Sequence, residues 1–226
     1  MWEWLSYRPS DFILYSARSW WRTVELANAE AWPTQLLTIA LGVAATWAAL
    51  RRPEPSRRGV VFAWLVFAVC WGWSAWAFHW RHHASINWAA PAFARAFVIE
   101  AACLGLVAAT VAFGPNAAAI GSRGKPIGAG RPTQPMARRS APRGVRRTLG
   151  GAALVTATVL YPLFAPAFAR PWSQAEVFGL APDPTALATL GLLLVLRPPH
   201  SVIAIALWTI PIASLLVSAV TLATMR

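Results

Sequence analysis

The feature that most constrains this chain is a series of apolar runs long enough to cross a lipid bilayer. They occupy residues 32–50, 59–78, 89–113, 149–169 and 201–224, with a shorter run at 185–196. An α-helix rises about 1.5 Å per residue, so about 20 apolar residues cross the ~30 Å hydrocarbon core. The sequence therefore predicts an all-α fold, a polytopic transmembrane helical bundle of about six spanning helices.

Composition agrees with a bilayer as the solvent. Of the 226 residues, 57% are hydrophobic and 12% are charged, whereas soluble domains average about 45–50% and about 25%. The net charge of +12 comes from basic residues that lie between the apolar runs. Because no nucleic-acid-binding fold is visible around them, we expect contact with anionic lipid headgroups and no nucleic-acid partner.

Residues 1–31 form a separate segment ahead of the first apolar run. Apolar residues recur every three or four positions from Ile13 to Ala31, with Arg18 and Arg22 on the opposite face. This spacing predicts an amphipathic helix lying in the membrane interface, with Ser10 or Asp11 as its N-cap. The alternative is a helix packed over the bundle. Acidic residues interrupt the segment, so we expect no cleavable signal peptide.

The rest of the chain divides at one polar stretch. Residues 32–113 carry the first three predicted spans and residues 149–226 carry the last three. Residues 114–148 are rich in Gly, Pro and Arg without an apolar period, which predicts a flexible basic loop. The short run at 185–196 is tilted, recruits part of the preceding loop, or dips in and returns.

The distribution of basic residues predicts an orientation. Thirteen Lys and Arg fall on the side of loop 114–148, and six fall on the other side. Positive charge stays in the cytoplasm. We therefore expect loop 114–148 to be cytoplasmic and both termini to face outward.

Residues 78–87 are the densest candidate site. They hold His79, His82 and His83 together with Asn87. His79 and His83 are four residues apart, so on a helix they share a face and could bind one transition metal ion as cofactor. Two carboxylates predicted in an outward loop could complete that site, namely Glu176 and Asp183. The alternative is an interfacial turn, because His, Trp and Arg all favour the headgroup region.

Glu100 is the second candidate. It lies about 11 residues into the third run, ~17 Å along the helix and near the bilayer centre. A carboxylate at that depth is costly, so it is a functional hypothesis by default. It could relay a proton, bind a cation, or form an interhelical hydrogen bond while protonated. Arg95 lies near the opposite face and can extend toward the interface.

The chain is rich in tryptophan, with 14 residues. Trp64, Trp71 and Trp76 could belong to one packed stripe on the second helix. Such a stripe is typical of packing or lipid anchoring. We find no catalytic triad order, paired-carboxylate spacing or dinucleotide fingerprint, and this favours a protein that is not an enzyme.

Three segments carry a resemblance to known proteins. They read SDFILYSARSWWRTVELANAEAWPTQ, FHWRHHASINWAAPAF and VFGLAPDPTALATLGLLL. Together they resemble a family of bacterial membrane proteins known only as a domain of unknown function. The resemblance implies a six-helix protein of the bacterial inner membrane. It also implies a polar residue such as Gln at the position of Glu100, which favours an interhelical hydrogen bond. It supplies no activity, cofactor or catalytic residue.

The leading hypothesis is a non-enzymatic accessory or scaffolding component of a membrane assembly, with a membrane-protein partner. The alternative is a small transporter or an ion or proton pathway that uses Glu100. A second alternative is a metal-binding membrane protein that uses His79, His82 and His83.

Overall fold

A computed structural model describes residues 15–51, 55–114, 143–198 and 202–225, and these residues are helical with connecting turns. The helices, in chain order, are α1 (Ala17–Ala31), α2 (Thr34–Leu50), α3 (Arg57–Trp73), α4 (Ala90–Phe113), α5 (Arg143–Val155), α6 (Pro182–Leu196) and α7 (Val202–Thr224). Two of them continue in other helical forms. After α3 come a π-helix at Ser74–His82 and a 3₁₀ turn at His83–Ser85. After α5 come a π-helix at Thr156–Leu160, a 3₁₀ turn at Tyr161–Leu163 and an α-helical turn at Phe164–Ala167.

The helical membrane bundle is confirmed, with fewer clear spans than six. Among the described residues, four stretches are long and apolar enough to cross a bilayer: Arg57–Ser85, Ala90–Phe113, Gly144–Ala167 and Val202–Thr224. Helices α1 and α2 pass the same test only as a pair, and they meet at 89°. Helix α6 has 15 residues and is therefore ~22 Å long, short of the ~30 Å core.

Helix α1 begins at Ala17 in the described part of the chain. Its N-cap is Ser16, whose Oγ accepts a hydrogen bond from the Ser19 N–H at 3.2 Å. Ser10 and Asp11 lie outside the described residues. The apolar face of α1 contacts protein, because Trp20 and Val24 are buried in one cluster with Phe78. This packing matches the alternative of a helix lying over the bundle.

The core is built around α3 and α6. Trp64, Phe67 and Trp71 of α3 are buried together with Leu192 and Leu193 of α6. Trp76 is 48% exposed, so the predicted stripe of three tryptophans is wrong at its last member. Trp76 lies five residues after Trp71, which is about 140° around an α-helix, so it points away from the face that Trp64 and Trp71 share.

Close backbone contact joins α5 to α6. A Cβ on Gly150 would lie 2.7 Å from the Gly191 carbonyl oxygen, and a Cβ on Gly191 would lie 2.8 Å from that of Gly150. Small residues at such crossings let membrane helices approach closely. Helix α5 begins at Arg143, within the predicted loop 114–148, and the remaining loop residues 115–142 lie outside the described part.

Basic side chains lie at one end of the bundle. Arg57 at the start of α3 donates to the carbonyl oxygens of Val111 and Ala112 at the end of α4. Arg147 of α5 donates to the Leu50 carbonyl oxygen at 2.8 Å, at the end of α2. Each guanidinium satisfies carbonyls that a helix C-terminus leaves free. The cytoplasmic assignment of this end stays a prediction.

The segment before α6 is buried. Residues 175–181 are non-helical or in turns, yet every one of them is buried. Their polar groups find partners: the Gly179 N–H donates to Thr185 Oγ1 at 2.8 Å, and Ser74 Oγ donates to the Leu180 carbonyl at 3.3 Å. Irregular backbone is tolerated at membrane depth only when protein covers it. Helix α6 thus begins at Pro182, three residues before the predicted run, behind a buried stretch of chain.

Candidate functional site

A cavity of about 610 Å³ lies at the end of the bundle opposite the basic side chains. Its walls come from α1, the segment around His79 and His83, the start of α4 and the second half of α7, and Pro182 of α6 also reaches it. Most of the lining side chains are apolar. No Asp, Glu, Lys or Arg is among the described residues that line it.

The π-helix places two histidines at this cavity. His79 lies within Ser74–His82 and His83 begins the following 3₁₀ turn. Both side chains line the cavity and are buried, with exposures of 4% and 3%. Trp20 of α1 packs edge-on against His83, with ring centroids 5.2 Å apart. π-Helical turns recur at functional sites because they redirect side chains without ending the helix.

The two imidazoles and Asn87 form one hydrogen-bonded chain. Asn87 Oδ1 accepts from the Ala89 N–H at 2.9 Å, which fixes the orientation of the amide. Asn87 Nδ2 then lies 3.0 Å from His83 Nε2, and His83 Nδ1 lies 3.2 Å from His79 Nδ1. The other end of the chain is His79 Nε2, which is buried and has no hydrogen-bond partner among the described residues.

This chain fixes the tautomer of each ring. The Asn87 amide can only donate from Nδ2, so His83 Nε2 must accept and the His83 proton resides on Nδ1. That N–H donates to His79 Nδ1, so the His79 proton resides on Nε2. A second proton on either ring would place two N–H groups face to face, and both rings are therefore neutral. His79 thus keeps one buried N–H donor without a partner among the described residues.

His82 does not join this pair. Its Nε2 lies 3.0 Å from a Glu30 carboxylate oxygen on α1, and Arg81 pairs with the same carboxylate. Within the described ranges, no group of three His, Cys, Asp or Glu side chains is placed to hold a metal ion. The three histidines of the metal hypothesis are therefore divided between the cavity and the α1 contact.

Of the two carboxylates predicted in a loop, Glu176 lies in the irregular segment before α6 and Asp183 lies in the first turn of α6. Both are buried, with exposures of 6% and 5%. Asp183 accepts a hydrogen bond from Ser218 Oγ of α7, and Ser218 lines the cavity. Burial raises the pKa of the Glu176 carboxyl, the nearby Asp183 raises it further, and Arg170 opposes them. The structure thus brings together a carboxyl pair for which sequence spacing gave no signal.

Glu100 lies apart from the cavity and is fully buried in α4. Neither carboxyl oxygen has a hydrogen-bond partner among the residues that the structure describes, so the expected interhelical hydrogen bond is not seen there. Arg95 is exposed and is not buried with Glu100 in the core.

Sequence reasoning found one wall of the cavity and missed the others. His79, His83 and Asn87 were candidates because they are dense in one short segment. The polar residues Tyr15, Ser218 and Thr221 were not, although they line the same cavity. They come from opposite ends of the chain, and neither local sequence carries a motif that would link them.

Comparison with known proteins leaves the chemistry open. No curated protein and no solved structure shows a significant match to this chain. A family-model match covers α1 to α4, including the histidine pair and Glu100, but not the Glu176–Asp183 segment. The resemblance to a family of unknown function is confirmed over residues 17–119, which match the model of the family of unknown function DUF6064.

Proposed function

We propose that this membrane protein works by binding, as a non-enzymatic accessory component of a membrane assembly, and that it binds an amphipathic small molecule in the cavity. The observation that carries the proposal is the cavity of about 610 Å³. Ligand sites are mostly apolar concavities of about 300–1,000 Å³ with a few placed polar groups. This cavity has that size and that composition.

The polar groups on its walls support recognition. The side chains of Asn87 and His83 are hydrogen-bonded to each other, and they also bond the Ala89 N–H and His79. The Thr209 hydroxyl donates to the Ile205 carbonyl of its own helix at 2.9 Å. Groups held in this way orient a ligand without needing to react with it.

The test is mass spectrometry of small molecules extracted from protein purified in a mild detergent. Ala213 of α7 lines the cavity, so Ala213→Trp should fill it and remove a co-purifying amphiphile. Ala219→Trp is the matched control, because Ala219 is exposed on the same helix and does not line the cavity. We expect retention in the native protein and in Ala219→Trp. Equal retention in Ala213→Trp, or no retained amphiphile in the native protein, would contradict the proposal.

The accessory role has its own readout in the same preparation. A protein that co-purifies in fixed stoichiometry would support a place in a membrane assembly. Movement of a solute by the purified protein alone, reconstituted in liposomes, would contradict it.

A second candidate function is an ion or proton pathway through Glu100. It is favoured by a fully buried carboxyl whose two oxygens lack partners among the described residues. Such groups inside a membrane often mark ion paths. The test is proton flux in liposomes with Glu100→Gln, which keeps the side-chain volume. Flux that is abolished supports the pathway, and flux that is unchanged removes Glu100 from it.

A further inference from the structure

The cavity is open along one side of α7. Five of the α7 side chains that line it form a stripe at helical spacing and are exposed: Thr209, Ala213, Leu216, Val217 and Val220. The exposed fraction of Leu216 is 61%. Residues three or four apart share one face of an α-helix, so this stripe follows one face of α7 for ~17 Å. A wall that stays exposed over this length leaves the cavity open on that side.

The end of the cavity nearest α1 is covered by protein. Tyr15 and Trp20 both line the cavity, and their rings stack with centroids 6.0 Å apart. Trp20 is buried, and Met225, which follows α7, packs against the same cluster. The opening therefore lies along the side of α7, and the end of the bundle is closed by α1.

The helix on the other side of the opening is α4. Toward the basic end of the bundle the two helices join the same core, because Leu104 of α4 and Leu207 of α7 are both buried in it. Toward α1, Phe93 and Ala96 of α4 line the cavity and are only partly buried, as is Ser214 of α7. The two helices thus leave a groove between Phe93 and Ala96 on one side and the exposed stripe of α7 on the other.

The surroundings of this groove are set by the helices that form it. Both α4 and α7 are long and apolar enough to cross a bilayer, so a gap between their sides faces lipid hydrocarbon. No charged side chain is among the described residues that line the cavity, and burying an unpaired ion there is strongly unfavourable. An aliphatic chain needs no polar partner and gains dispersion contacts with the apolar walls.

We infer that the groove binds an acyl chain of a membrane lipid, which enters sideways from the bilayer between α4 and α7 while the headgroup stays at the interface. This inference rests on the proposed binding function and names its ligand. Trp88, just before α4, lines the cavity and is 74% exposed. An amphipathic ring in such a place suits the headgroup layer, and the chain extends from there along α7 toward Thr209.

The experiment is photo-crosslinking of the full chain in bilayer discs of phosphatidylcholine, with the labelled residues mapped by mass spectrometry. One probe is a phosphatidylcholine with a diazirine near the end of one acyl chain, and the other carries the diazirine in its headgroup. Ser214 is the readout, because it lies ~15 Å along α7 from the end of that helix at Thr224. We expect the chain probe to label Ser214 and the headgroup probe to leave it unlabelled.

Control positions distinguish the groove from the lipid that surrounds the bundle. Ile99 is 53% exposed on α4 and does not line the cavity, so the chain probe should label it in every variant. Ala96→Trp obstructs the groove from its α4 wall and should remove the label from Ser214. Ala92→Trp is the matched control, since Ala92 is exposed on the same helix away from the cavity, and it should keep the label. Should Ala96→Trp fail to fold, Val217→Trp obstructs the groove from the exposed stripe of α7 and should have the same effect.

The outcomes separate this inference from the proposed function. An unlabelled Ser214 in the native protein would mean that a partner helix or a second copy occupies the groove, and labelling by the headgroup probe would mean a polar occupant. Equal labelling in Ala96→Trp and Ala92→Trp would assign the label to lipid outside the groove. Each of these results overturns the inference, whereas an amphiphile retained in the detergent extraction keeps the proposed function. If no amphiphile is retained either, both are overturned.

Discussion

Trp71 of α3 donates its indole N–H to Thr189 Oγ1 of α6 across 2.7 Å, and both side chains are fully buried. The same hydroxyl donates to the Thr185 carbonyl at 2.8 Å, so its proton and a lone pair are both used. This contact ties the short helix α6 to the longest helical stretch of the bundle. Because both side chains are buried, water cannot replace either partner of this hydrogen bond.

Thr189→Val should therefore destabilise the protein by about 1–3 kcal/mol, because it keeps the side-chain volume and leaves the indole N–H without an acceptor. Chemical denaturation in detergent, followed by tryptophan fluorescence, measures the change. Thr110→Val is the control: Thr110 is exposed and its hydroxyl bonds the Val107 carbonyl of its own helix. It should shift stability by no more than about 0.5 kcal/mol. Equal effects at the two positions would contradict the argument.

Substituting Gly179 tests how closely the buried segment before α6 is packed. Its φ is +81°, and a Cβ there would lie 2.8 Å from Cys70 Sγ. Gly179→Ala should cost about 1–2 kcal/mol for the backbone conformation alone, and more for the contact. Adding Cys70→Ala should recover part of the loss, since it removes the sulfur but not the backbone strain. Gly105→Ala in α4 meets nothing within 4 Å and should be neutral or slightly stabilising. Thermal unfolding of the native protein and the three variants measures these differences, and a Gly179→Ala variant as stable as Gly105→Ala would contradict the argument.

The membrane helices were predictable because the bilayer fixes their length. The predicted third run, residues 89–113, differs from Ala90–Phe113 by one residue, and the predicted last run, 201–224, differs from Val202–Thr224 by one. An apolar run bounded by polar residues leaves little choice for where the membrane helix begins and ends. Near Pro162, α5 passes into π- and 3₁₀-helix, and proline in a helix interior accounts for such a change because it has no N–H to donate.

The features that build the candidate site were not predictable in the same way. The environment of Asp183 depends on α7, which begins well after it and supplies Ser218. The π-helix before His83 depends on packing and has no residue signature of its own. Local sequence reports which side chains are polar, whereas their partners are set by tertiary contacts between distant helices.

Trp20 and Glu30 make contrasting contributions to holding α1 on the bundle. Trp20 is 6% exposed and packs on Phe78, with ring centroids 5.7 Å apart. Glu30 pairs with Arg81, and both side chains are more than 40% exposed. Burial of an aromatic ring outweighs an exposed ion pair, so Trp20→Ala should cost about 3–5 kcal/mol and Glu30→Gln less than about 1 kcal/mol.

Amide hydrogen exchange within α1 measures both changes. We expect Trp20→Ala to accelerate exchange over most of the helix and Glu30→Gln to change it little. The reverse order would mean that the ion pairs hold α1 in place.

Glu176 gives the protein a pH dependence whose sign follows from burial. Its pKa is raised above the usual value near 4.5, first by desolvation and then by Asp183, with Arg170 opposing. At pH values between the usual pKa and the raised pKa, the folded state holds more protons than the unfolded state. The stabilisation from protonated Glu176 is complete below the usual value and is lost as pH rises through the raised value.

Unfolding should therefore become easier between about pH 5 and about pH 8, by at most about 1.4 kcal/mol per pH unit for one proton. Glu176→Gln carries no ionisable proton and should reduce this slope. Glu25→Gln is the matched control, because Glu25 is partly exposed and pairs with Arg22 at 3.1 Å; its slope should equal that of the native protein. Denaturation across this range measures all three slopes. An undiminished slope in Glu176→Gln would assign the pH dependence to other groups, since the buried carboxyl would then titrate alike in both states.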